Sequence, residues 1–104
     1  MRLKDKTAII TGAGTGIGRA TAKVFAAEGA KIVAAGRSEK TLEETVSQIK
    51  SEGGQAAFIV TDVANQEQIA NLVNETIKKY GRIDILVNAA GVAPAFSLVD
   101  LPVD

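Results

Sequence analysis

Short apolar runs alternate with amphipathic stretches from Thr7 to Asn88, and that alternation predicts an α/β domain built on a parallel sheet. The runs, among them Ile32-Val33-Ala34-Ala35 and Ile85-Leu86-Val87, are apolar at consecutive positions, as strands buried on both faces require. A turn holding Gly12, Gly14, Gly16 and Gly18 joins the first run to the first amphipathic stretch. Right-handed crossovers then place helices on both faces of the sheet, making it doubly wound, and the order expected for such a half-sheet is 3-2-1-4, ending at about the fourth strand.

The first strand is expected over Thr7 to Thr11 and, past the glycine turn, a helix over Ile17 to Glu28. A second strand, Lys31 to Ala35, precedes a helix over Glu39 to Glu52, on which Leu42, Val46 and Ile49 share one face. The third strand, Ala56 to Thr61, precedes a helix over Gln66 to Tyr80 with Ile69, Leu72, Val73 and Ile77 as its apolar stripe. Ile83 to Asn88 is the fourth strand. These stripes face a core. Gly29, Gly53-Gly54 and Gly81 follow the three helices and suit their C-terminal caps. Thr41-x-x-Glu44 and Asn65-x-x-Gln68 offer capping boxes, with Ser38 and Asp62 as competing caps.

Composition excludes several functions. The chain has 104 residues, the size of one domain at most. Its twelve basic and twelve acidic residues cancel, so no long-range field draws it to nucleic acid or an anionic membrane. Cysteine and histidine are both absent. Without them there is no disulfide, zinc-thiolate site, Ser-His-Asp triad or Cys-His pair, and no metal site is expected. Met1 to Lys6 is too charged for a signal peptide, and no apolar run approaches a membrane span. The expected location is cytoplasmic.

Strand, glycine turn and helix in that order present a helix N-terminus and a row of backbone N–H groups to a phosphate, and glycines let the phosphate come close. The generic G-x-G-x-x-G spacing fails, because Ile17 and Arg19 stand where a third glycine is needed. A mononucleotide P-loop fails too, since Arg19 and Ala20 follow Gly18 in place of Lys and Ser or Thr. What stands is T-G-x-x-x-G-x-G through Thr11, Gly12, Gly16 and Gly18. Together with Asn88-Ala89-Ala90-Gly91, this pattern resembles the short-chain dehydrogenase/reductase family, and the resemblance runs along nearly the whole chain. It implies a Rossmann-like fold, residues 1–104 forming part of an NAD(P)-binding domain, and a turn of Gly12, Thr15, Gly16, Ile17 and Gly18 that holds the cofactor.

Cofactor choice is expected at the end of the second strand, where a carboxylate favours the NAD ribose and an Arg accommodates the 2′-phosphate of NADP. The sequence there is Gly36-Arg37-Ser38. By the resemblance, Gly36 matches the NAD-selecting Asp and Arg37 an NADP-selecting basic residue, so NADP is expected over NAD; the second basic residue that many NADP-using relatives carry in the turn is absent here, its place taken by Thr15. The resemblance also implies that Asp62 accepts a hydrogen bond from the adenine amino group and that the Val63 backbone N–H bonds the ring. Asp62 equally suits a helix cap. Asn88, Ala89, Ala90 and Gly91 are implied to steady the central sheet and line the cofactor site, with Ala89 standing where the family more often has Asn.

The family reduces carbonyls or oxidises alcohols through a Tyr-x-x-x-Lys pair aided by Ser and Asn, the Tyr passing the proton and the nicotinamide the hydride. The sole tyrosine, Tyr80, has Asp84 four residues on. No catalytic residue is therefore assigned, and the chain looks like the N-terminal, cofactor-binding half of an NADP-dependent oxidoreductase, truncated and inactive alone. A small carbonyl or alcohol substrate and a homo-oligomer are implied for a full-length protein. The apolar tail from Val92 to Val103 suits the start of a substrate-side wall but names no substrate. A non-catalytic dinucleotide-binding module, and a truncated product that binds nothing, are the other readings. Without a neighbour, the apolar fourth strand is expected to leave an unpaired edge that weakens the fold or promotes association.

Overall fold

The computed structural model describes residues 2–14 and 16–89. Four strands, β1 (Thr7–Thr11), β2 (Lys31–Gly36), β3 (Gln55–Val60) and β4 (Ile85–Asn88), alternate with helices α1 (Gly16–Ala27), α2 (Glu39–Ser51) and α3 (Gln66–Tyr80). The sheet order is β3-β2-β1-β4, all parallel, as the sequence predicts. Register is set so that Thr11 lies opposite both Ala35 and Asn88, and Gly36 opposite Val60. All four strands therefore end on one edge of the sheet.

Successive side chains of a strand point to opposite faces, and β1 shows why its sequence is apolar throughout. Ala8 and Ile10 enter a core with Ala22 and Ala26 of α1 and Leu42, Val46 and Ile49 of α2. Ile9 points the other way, into a core with Val33, Ala35, Leu86 and Leu72 of α3. Every residue of β1 is buried, whereas β3 at the edge is buried only at Ala56.

Helix starts follow local chemistry. Ser38, in extended conformation, accepts from the Thr41 N–H and caps α2, so Thr41 lies inside the first turn. Glu44 is drawn away to Arg19 at 3.3 Å, and no Thr41–Glu44 capping box forms. Asn65 caps α3 by accepting from the Gln68 N–H, while the Gln68 carboxamide oxygen accepts from the Asp62 N–H at 2.7 Å. Gly81 closes α3 in the left-handed conformation, its N–H donating to the Ile77 carbonyl, a backbone state that a Cβ disfavours. The buried line of α3 runs through Leu72 and Thr76 to half-buried Tyr80. Ile77, expected on that stripe, lies about 100° further round the helix than Thr76 and is 43% exposed. Thr76 can be buried because its hydroxyl donates to the Leu72 carbonyl at 2.7 Å.

The fourth strand begins at Ile85, two residues later than the apolar run suggests. Asp84 fastens the approach: its carboxylate accepts from the Thr7 N–H at 2.8 Å and its own N–H donates to the Thr7 carbonyl at 2.9 Å. Arg82 holds the same carboxylate at 2.6 Å. Burial alone would raise the Asp84 pKa, but the hydrogen bonds from Arg82 and Thr7 and the charges of Arg82 and Lys6 outweigh it and hold the carboxyl below its ordinary value. Among the described residues no helix is long and apolar enough to cross a membrane.

Candidate functional site

The shared edge where the strands end gathers the candidate residues. The turn leaves β1 at Gly12, in a left-handed conformation at φ 66°, and enters α1 at Gly16, at φ 59°. Gly18 packs directly on the Gly12 carbonyl, and a Cβ built on Gly18 would overlap that oxygen. Only glycine lets α1 start this close to β1. The first-turn N–H groups of an α-helix lack intrahelical partners, and the first turn of α1 carries no acidic residue. Ile17 beside them is 77% exposed.

Across the edge, β2 ends at Gly36 and delivers Arg37 and Ser38. Arg37 is exposed, and no described residue pairs with its guanidinium. The Ser38 hydroxyl is used in capping α2. The Gly36 carbonyl accepts from the Thr61 N–H at 2.7 Å, bringing the end of β3 alongside. Asp62 then makes a tight turn, one carboxylate oxygen accepting from the Ala64 N–H at 2.9 Å. It does not cap α3, since Asn65 does. The Val63 N–H donates to no described residue.

On the other side of β1, the Thr11 hydroxyl donates to the Asn88 side-chain oxygen at 2.8 Å and the Ala89 N–H donates to the Thr11 carbonyl at 3.1 Å. Asn88 thus fastens the ends of β1 and β4, and Ala89 extends their pairing one residue past the strand end. Gly12, Gly16, Ile17, Gly18, Arg37, Ser38, Asp62, Val63, Asn88 and Ala89 all lie along this one edge, while Thr15, Ala90 and Gly91 fall outside the described residues, as does the tail after them. The described residues contain no cluster of His, Cys, Asp or Glu able to hold a metal.

The family model for short chain dehydrogenases matches residues 6–103. The chain belongs to the short-chain dehydrogenase family. Sequence relatives include a short chain dehydrogenase of Pseudocercospora fijiensis, 42% identical over 99% of this chain and 33% of its own length. Among solved structures, a hydroxysteroid dehydrogenase from Escherichia coli superposes with a TM-score of 0.83 at 38% identity, covering 97% of this chain and 43% of that protein. A metagenomic short-chain oxidoreductase solved in complex with NADP gives 0.84 at 34% identity, covering 88% of this chain and 42% of that protein. The chain spans well under half the length of these relatives, and the shared part is the NAD(P)-binding Rossmann fold.

The tyrosine of this short-chain dehydrogenase stands apart from the edge just described. Tyr80 closes α3 at the opposite side of the sheet, with the Lys31 ammonium 5.8 Å and the Lys79 ammonium 5.7 Å from its ring centre. Burial pushes its hydroxyl pKa up, whereas a proton relay needs it lowered. Packing is its role.

The structure adds residues to which the glycine spacing gives no clue. Ala13 is buried in the turn, its N–H donating to the Ala35 carbonyl at 3.3 Å. Gly14 packs on the Thr41 side chain, close enough that a Cβ there would collide with it. The Ala13 carbonyl accepts from the Thr45 hydroxyl at 2.8 Å, and Arg19 reaches Thr45, Thr41 and Glu44 together. The turn is therefore seated on α2 as well as on β1.

Proposed function

We propose that this chain is the cofactor-binding part of an NADP-dependent oxidoreductase that interconverts a carbonyl and an alcohol. The observation that carries the reading is the unshielded N-terminus of α1, held against β1 by Gly18 and facing an edge that also bears the unpaired Arg37. The N–H groups of Gly16, Ile17 and Gly18 would take the pyrophosphate. Arg37 would form charge-assisted hydrogen bonds to a 2′-phosphate, and no carboxylate stands at Gly36 to repel it. Asp62 would accept from the adenine amino group with its second oxygen, and the open Val63 N–H would meet the ring. Asn88 and Ala89, with Thr15, Ala90 and Gly91, would border the ribose.

When bound, the dinucleotide supplies the hydride donor or acceptor. The residues here bind and orient it, and none of the described side chains is set to move the substrate proton. We accordingly infer that the 104-residue chain alone turns over no substrate. The relatives carry names tied to different substrates, so a small carbonyl or alcohol is the class the reading supports, within a soluble homo-oligomeric full-length enzyme of the cytoplasm.

Calorimetric titration with NADPH and NADH tests it. NADPH should bind more tightly by about tenfold or more, as a charge-assisted phosphate contact implies, and Arg37→Ala should abolish the difference. Equal binding of the two dinucleotides by the unaltered chain would remove the NADP assignment.

A further inference from the structure

Arg19 sits in the first turn of α1, next to the phosphate-facing glycines, yet its side chain turns away from them. Its Nε donates to the Thr45 hydroxyl at 2.8 Å, and its Nη2 donates to the Thr41 carbonyl at 3.0 Å and the Glu44 carboxylate at 3.3 Å. Thr45 is fully buried. Its hydroxyl has one proton and two carbonyls in reach, Ala13 at 2.8 Å and Thr41, one helical turn back, at 3.2 Å. A threonine inside a helix ordinarily gives its proton to the carbonyl four residues earlier. Arg19 reverses that preference by two means. It occupies the Thr41 carbonyl with a charged donor, and it donates into the Thr45 oxygen, which strengthens the outgoing O–H bond.

We propose that Arg19 is a positioning residue for the glycine turn: acting through Thr45, it directs the single hydroxyl proton onto the Ala13 carbonyl and so tunes the affinity of the turn for a dinucleotide. The Ala13 carbonyl is held toward α2, and the trans peptide then turns the Gly14 N–H the opposite way, away from α2. No described residue accepts from that N–H. One peptide plane of the turn thus has its orientation chosen by a guanidinium that does not itself point at the ligand. The affinity part of the inference rests on the cofactor reading given above.

Four variants separate the contributions. Arg19→Met keeps the aliphatic stem and removes the donors, Thr45→Val removes the proton, Arg19→Lys restores charge without the planar fork, and Glu44→Gln removes only the exposed ion pair. By calorimetry, Arg19→Met and Thr45→Val should each raise the Kd for NADPH about tenfold or more, the effect of leaving a buried acceptor unsatisfied. Their double variant should be no worse than Thr45→Val by more than about twofold, because the two act on one hydroxyl. Arg19→Lys should recover part of the loss, and Glu44→Gln should stay within about twofold of the unaltered chain. Unchanged affinity in Arg19→Met, or a Glu44→Gln loss as large as that of Arg19→Met, overturns the proposal.

Backbone amide exchange supplies a readout that needs no nucleotide. The Ala13 amide should exchange about tenfold faster in Arg19→Met and Thr45→Val, with the Ile9 and Ile10 amides of β1 unaltered. If the unaltered chain binds neither NADPH nor NADH, the cofactor reading fails, and Ala13 exchange alone decides whether Arg19 sets the turn. Exchange at Ala13 that does not change, or that changes equally along β1, overturns the proposal.

Discussion

Gly18 lies under the Gly12 carbonyl so closely that a side-chain carbon there would overlap the oxygen, and relief requires α1 to back away from β1. Overpacking of this kind costs about 1–3 kcal/mol. Gly18→Ala should lower the urea unfolding free energy by that amount and eliminate NADPH binding, read by circular dichroism and calorimetry respectively. Thr7 presents the opposite case, a buried hydroxyl with no hydrogen-bond partner among the described residues. Thr7→Val keeps the shape and removes the orphan, so the unfolding free energy should stay level or rise. The glycine spacing was legible in the sequence because each glycine answers a local backbone demand. Arg19, Thr41 and Thr45 were not, because their bonds join positions 22 to 32 residues apart and their side chains are of types that usually face water.

At the scale of the element, periodicity located all three helices and all four strands to within about two residues, and the departures have identifiable causes. Thr41 was a plausible cap, but Ser38 holds the extended conformation a cap needs and the chain enters the helix three residues sooner. Ile77 fits an apolar stripe in sequence, yet α3 meets the sheet along Leu72 and Thr76, a polar residue that no hydropathy pattern selects. The α3 cap is unambiguous. Asn65→Ala should cost about 1 kcal/mol in urea unfolding, and Asp62→Ala should cost less, because Asp62 turns the chain before the helix and leaves its start to Asn65.

For the whole molecule, the joint between β1 and β4 carries a pH dependence. The Asp84 carboxyl is held below its ordinary value, so its contribution is present above the unfolded-state pKa and is lost as the pH falls through the lower folded-state one. Thermal unfolding should therefore show an acid limb below the ordinary carboxylate range near pH 4, and Asp84→Asn should flatten it. Beyond β4 no further strand is described, and its outer edge has no partner among the described residues. Strand order followed from the order expected of a doubly wound half-sheet, once alternation and handed crossovers had pointed to that class.

The position of Tyr80 gives the molecule a convenient optical property. It is the sole tyrosine in a chain without tryptophan, and at the end of α3 its ring lies under Lys31 and against the core around Val33 and Leu72, at the edge opposite the glycine turn. Strands of four to six residues separate the two edges by roughly 13–20 Å. Tyrosine emission from the protein, which lies apart from the weaker and shorter-wavelength emission of its three phenylalanines, therefore comes from one ring that reports the closure of α3 against the sheet. The far end of the sheet thus carries its own optical marker of folding.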